Sequence, residues 1–122
     1  MTRNYRMLVL PVGRLGANCY ILIDQATNQT AVIDPGGEGK KIAAALSQEQ
    51  AELVYIINTH GHWDHIGGNK ELQALVKAPL LIHSLDAPML GQAGLNLGRE
   101  FGGDADGGRA DQLLADGDTL VL

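Results

Sequence analysis

The sequence predicts an α+β domain, and three observations carry the prediction. Three short apolar runs parted by turn-like stretches occupy the first third of the chain. A segment of helical period then leads into another apolar run of strand length. Beyond it, a polar stretch dense in histidine passes into a second helical segment and a further strand. At 122 residues the chain has the size of one small domain, and no internal repeat divides it.

The elements follow in order. Residues 7–12 are apolar and close on Pro11 and Gly13, and residues 19–24 form a second apolar run. Residues 25–29 are polar and join it as a hairpin to a third strand at 30–34, which is rich in β-branched residues. Asp34-Pro35-Gly36-Gly37 is a strong stop. Short turns between successive strands predict antiparallel pairing at this end. Residues 40–52 read as a helix, with Ile42, Ala45 and Leu46 on one stripe. The strand at 53–58 comes after a crossover, so part of the sheet is expected to be parallel. Residues 69–77 read as a second helix with Leu72, Leu75 and Val76 on its apolar side, its start reaching back toward Asp64. A strand at 79–83 follows. Ser84 is then an N-cap for a helix over 85–90, with Asp86 in its first turn. Residues 91–109 are glycine-rich and aperiodic, a long loop of the kind that is usually functional or disordered. Asp116-Gly117-Asp118 is a turn before a last strand at 119–122.

Composition narrows the function classes. The formal charge is −5 and no Lys/Arg cluster stands out, so the basic stripe of a nucleic-acid binder is missing. No apolar stretch approaches the ~20 residues that span a bilayer. The single cysteine, Cys19, permits no internal disulfide, and its apolar setting reads as a buried strand position. The expectation is a cytoplasmic protein that acts on a small molecule, without membrane or nucleic-acid partners.

The chemistry concentrates in Thr59-His60-Gly61-His62-Trp63-Asp64-His65-Ile66-Gly67-Gly68, which holds three of the four histidines. Two ligand-type residues one apart point the same way on extended backbone, so His60 and His62 can reach one metal ion. Asp64 and His65 lie a turn further on and can face the same cleft. Imidazole with carboxylate suits Zn²⁺, Fe²⁺ or Mn²⁺, and the lack of thiolate argues against a structural cysteine-type zinc site. Gly61 is expected to lend the loop unusual backbone angles. Gly67 and Gly68 are expected to allow close packing, and Trp63 to shield the ligands. His83, the fourth histidine, reads as a strand-end packing or surface residue.

This segment resembles the His-x-His-x-Asp-His signature of the metallo-β-lactamase superfamily. Asn18-Cys19-Tyr20 and Val32-Ile33-Asp34-Pro35-Gly36 are similar to the corresponding strands of glyoxalase-II-like members, the hydroxyacylglutathione hydrolases. The resemblance runs from about residue 9 through 82 and weakly to 118–119. It implies an αββα sandwich of which this chain supplies about one αβ half, the N-terminal portion. The family's further metal-binding His, bridging Asp and last His have no match after His83, so the remainder of the domain is expected to be missing from this chain.

The same resemblance assigns His60 and His62 to one metal site, and Asp64 and His65 to a second. Asp34 would orient a ligand or loop from behind. Two zinc ions are the implied cofactor, with iron or manganese as alternatives. The implied reaction is attack of a metal-activated hydroxide on a small thioester of the acylglutathione type, with Asp64 also orienting the nucleophile. A mononuclear-iron persulfide dioxygenase is an alternative reading. So is a non-catalytic half-domain that pairs with another chain, as a homo-oligomer if the half-domain is the whole protein. No Ser or Cys with a convincing base is present, which disfavours covalent catalysis.

Overall fold

A computed structural model describes residues 4–101 and 106–122. Six strands form one sheet in sequence order: β1 (Tyr5–Val12), β2 (Ala17–Asp24), β3 (Gln29–Ile33), β4 (Glu52–Asn58), β5 (Leu80–His83) and β6 (Gln112–Leu114). The first two pairings are antiparallel and the last three are parallel. The change falls where α1 (Gly39–Gln48) carries the chain from β3 back to β4, as the crossover predicts. α2 (Trp63–Ile66) and α3 (Asn69–Leu75) join β4 to β5, and a 3-10 helix (Ala87–Gly91) and α4 (Gly98–Phe101) lie between β5 and β6.

Strand alternation separates two faces. Cys19, Ile21 and Ile23 of β2 and Leu53 and Ile56 of β4 point into a core completed by Ile42 and Leu46 of α1, Ile66 of α2 and Leu72 of α3. α1 and α3 pack against each other over it. The opposite face carries Tyr5, Met7 and Val9, at 64%, 51% and 49% exposure. Beside them Leu22, Tyr55 and Ile57 line an apolar hollow. The sheet therefore has a helix-covered face and an apolar open one. No helix among the described residues is long and apolar enough to cross a membrane.

Most expected elements stand where the pattern placed them, and five corrections have physical causes. α1 stops at Gln48 rather than 52, because Gln50 adopts φ 54° and the Gln50 and Ala51 amides turn back onto the Ser47 and Leu46 carbonyls. The helix expected at 69–77 is α3, which ends at Leu75 because Val76 is extended, and the start reaching back toward Asp64 is a separate helix, α2, parted from it by Gly67-Gly68. Leu75 is half-exposed at the end of α3 rather than part of the core. The helix at 85–90 is a 3-10 helix with Asp86, not Ser84, at its cap. Pro88 disfavours α geometry at the residue before it, and the Leu85 amide is drawn back to His83 Nδ1 at 3.0 Å. The last strand is Gln112–Leu114, paired with β5, rather than 119–122. There the Asp111 amide bonds the Leu80 carbonyl and its carboxylate accepts from the Leu80 amide, which seats the chain beside β5. Leu120 and Leu122 instead border the hollow on the open face, where the Tyr55 hydroxyl donates to the Val121 carbonyl at 3.3 Å. In the glycine-rich loop, Gly102 and Gly103 lie outside the described residues.

Candidate metal centre

The histidine segment lies at the C-terminal ends of the parallel strands, where β4 gives way to α2. Asp34, the residue after β3, is the hub. It is 3% exposed, and its φ of 58° lies in the left-handed region that Asp tolerates better than most residues. That turn aims the carboxylate at the next strand end. Asp34 Oδ1 accepts from the Thr59 amide at 2.7 Å. Asp34 Oδ2 accepts from the Thr59 hydroxyl at 2.6 Å and meets His65 Nδ1 at 3.0 Å.

These bonds decide the ring tautomers. A carboxylate only accepts, so His65 Nδ1 carries the proton. The Thr59 hydroxyl has one proton and gives it to Asp34, so His60 Nδ1, 2.9 Å from the same oxygen, is also a donor. Nε2 is thereby the nitrogen that each ring has free to offer a metal. Burial first, and then His65, push the His60 ring below the usual histidine range against the opposing pull of Asp34. His60 thus favours the neutral form that can ligate a metal.

The rings converge. The His60 centroid lies 4.1 Å from that of His65 and 4.8 Å from that of His62. Asp64 Oδ2 stands 3.4 Å from His65 Nε2. Two ligand-type atoms, one imidazole nitrogen and one carboxylate oxygen, are thereby brought side by side. Asp34 also comes within 4.8 Å of ligand atoms of His60 and His65. Both of its oxygens are already engaged, however, which suits a residue that orients ligands rather than one that binds metal. Of the four expected ligands, His60 and His65 share one group of ligand atoms with Asp34, while Asp64 adjoins His65 and the His62 ring adjoins that of His60; His62 is exposed and the other three are half-buried.

Glycines and asparagines hold the segment in place. A Cβ on Gly68 would stand 2.6 Å from the Pro35 carbonyl oxygen, so the close packing expected there is present. Gly61 does not have the expected unusual angles, since its φ is not among the positive ones. It is small for a steric reason instead, because a Cβ would lie 2.5 Å from Met89 Cβ. Trp63 is buried, at 6% exposure. Asn58 and Asn69 form a buried reciprocal amide pair at 3.1 and 2.8 Å. Asn58 also donates to the His65 carbonyl at 3.3 Å, tying β4 to α2 and α3.

His83 is no part of the cluster, and its bond to the Leu85 amide gives it the strand-end role expected. Cys19 is fully buried in β2, and burial, followed by Asp34, pushes its thiol up to about 12, so it offers no thiolate. Sequence reasoning gave no role to Thr59 or to the Asn58–Asn69 pair. The only local signal was that Asn58 and Thr59 immediately precede His60.

A mixed sheet with helices on one face and imidazole and carboxylate gathered at its parallel strand ends defines a protein built around a nitrogen-and-oxygen metal site. The chain belongs to the metallo-beta-lactamase superfamily, whose sequence pattern matches residues 12–121. It is 37% identical over 87 residues to a probable metallo-hydrolase of Bacillus subtilis, covering 71% of this chain and 40% of that protein. It is 48% identical over 54 residues to the hydroxyacylglutathione hydrolase of Pelagibacter ubique, covering 44% of this chain and 22% of that enzyme. Among solved structures, a B3 metallo-beta-lactamase superposes with a TM-score of 0.87 at 27% identity, over 96% of this chain and 56% of that one. A protein crystallised in a di-iron-bound form superposes with a TM-score of 0.78 at 27% identity, over 93% of this chain and 56% of that one. The chain thus spans well under half the length of these two curated relatives.

Proposed function

We propose that this chain carries the metal-binding part of a metal-dependent hydrolase that cleaves a small thioester of the acylglutathione type. The observation that carries the reading is the convergence of His60, His65 and Asp64 with ring tautomers already set. The donor set fits a divalent ion, with neutral imidazoles, a carboxylate and no thiolate among them. His60 and His62 would hold one ion, and Asp64 and His65 a second. Zinc is the first choice, with iron or manganese as alternatives. When bound, such an ion lowers the pKa of water to about 7 and polarises a carbonyl oxygen.

The protein's own residues supply placement. Asp34 and Thr59 hold the His60 and His65 rings with Nε2 forward. Asp64 Oδ2 lies beside His65 Nε2, where it can accept a hydrogen bond from an attacking water and fix that water's direction. His62 is the exposed member, and a substrate would approach from its side. The thioester class is supported by the 48% identity to the Pelagibacter ubique hydroxyacylglutathione hydrolase and by 44% identity over 63 residues to the enzyme of that name in Nostoc punctiforme. One cysteine, buried and free, suits a reducing compartment, and we assign the protein to the cytoplasm.

The test is hydrolysis of an acylglutathione thioester by the full-length protein loaded with zinc or iron. Turnover is expected and should fall by at least about a hundredfold in His60→Ala, a loss in the range of removing a principal electrostatic group. Metal-loaded protein that hydrolyses no thioester would remove the substrate assignment.

A further inference from the structure

Two backbone amides flank His62, and both are tied to the same stretch of chain after β5. The Gly61 amide donates to Asp86 Oδ2 at 3.1 Å. The Trp63 amide donates to the Asn96 carbonyl at 2.8 Å. Asp86 is itself fixed, since its amide bonds the His83 carbonyl at the end of β5 and its own carbonyl accepts from the Met89 amide, each at 2.9 Å. Asn96 is fully buried, with Nδ2 donating to the Met89 carbonyl at 2.8 Å and Oδ1 accepting from the Gly98 amide at 2.9 Å. Gly61 is pressed directly onto this brace, as the 2.5 Å approach of a notional Cβ to Met89 shows.

His62 depends on this support more than its neighbours do. The His60 and His65 rings are each oriented through Nδ1, by Thr59 and Asp34. Among the described residues the His62 ring has no hydrogen bond. It sits on extended backbone, φ −67° and ψ 145°, at the cap of α2 and is exposed. Its place is therefore set by its backbone on either side.

We propose that Asp86 is a positioning residue for His62, its carboxylate setting through the Gly61 amide where the His62 ring enters the metal site. This rests on the reading of His62 as a metal ligand. The carboxylate acts as a hydrogen-bond acceptor rather than as a charge, so an amide at the same position should serve nearly as well.

The test uses cobalt(II) as the probe, titrated into the full-length metal-free protein and followed by its visible absorption. Asp86→Ala is expected to bind cobalt about tenfold more weakly than wild type, with altered absorption bands, as other losses of support behind a ligand do. Asp86→Asn is expected to restore both affinity and spectrum. Unchanged affinity and spectrum in Asp86→Ala overturn the proposal, as does an Asp86→Asn variant as weak as the alanine. Should Asp86→Ala fail to fold, Asp86→Glu takes its place: its longer side chain should displace the amide and shift the bands, and an unshifted spectrum overturns the proposal. Wild-type protein that takes up no cobalt would instead sink the metal-site reading beneath it.

Discussion

The histidine loop is held from two sides, and the two holds work differently. On the inner side, Asp34 at the end of β3 engages the Thr59 amide, the Thr59 hydroxyl and His65 Nδ1 with one buried carboxylate. On the outer side, Asp86 and Asn96 engage only backbone amides, at Gly61 and Trp63. The inner hold fixes ring orientation and tautomer, and the outer hold fixes the path of the chain. A metal site assembled from consecutive residues needs both, because a correctly turned ring on a misplaced backbone misses the ion by as much as a misturned ring does.

The largest expected effect lies on the inner side. Asp34→Ala strips the acceptor from three donors at once and releases both tautomers. It should weaken zinc binding by roughly 10–100-fold and lower stability by about 1–3 kcal/mol, since the Thr59 amide is left unsatisfied in a part-buried site. A chelator competition and a urea melt read the two effects. Affinity within twofold of wild type would erase the distinction between the two holds. Asp86→Ala, at about tenfold, stands below it. The smallest effect on metal binding is expected from a steric change, which acts on stability instead. Gly61→Ala drives a methyl group onto Met89 and should cost about 1–3 kcal/mol by overpacking. Met89→Ala in the same chain should recover most of that loss in thermal melts. If it does not, the contact between the loop and the 3-10 helix is not what limits residue 61.

How much of this was legible in the sequence follows the same division. Strands β1 to β5 and helix α1 showed because apolar runs bounded by turn residues and helical period are local signals. The cluster of His60, His62, Asp64 and His65 showed for the same reason, being contiguous. Asp34 was recognisable as a supporting residue only through the resemblance, because its bond to Thr59 spans 25 positions. The outer hold was invisible. Asp86 reads as an ordinary first-turn acid until the fold brings it to Gly61, and Asn96 sits in a stretch without periodicity. Gly61 was assigned to backbone freedom when the cause is a neighbour from another element. β6 was misplaced because three residues carry too little pattern, and its seat depends on Asp111 meeting Leu80. Contacts within a segment could be read from the chain, while contacts between segments required the fold.

The most direct test of the account is zinc uptake by the full-length metal-free protein, measured calorimetrically beside the double variant His60→Ala/His65→Ala. Stoichiometric, saturable binding by wild type, weakened by at least roughly a hundredfold in the variant, is the predicted result. Equal uptake by the two proteins, or none by wild type, would contradict it.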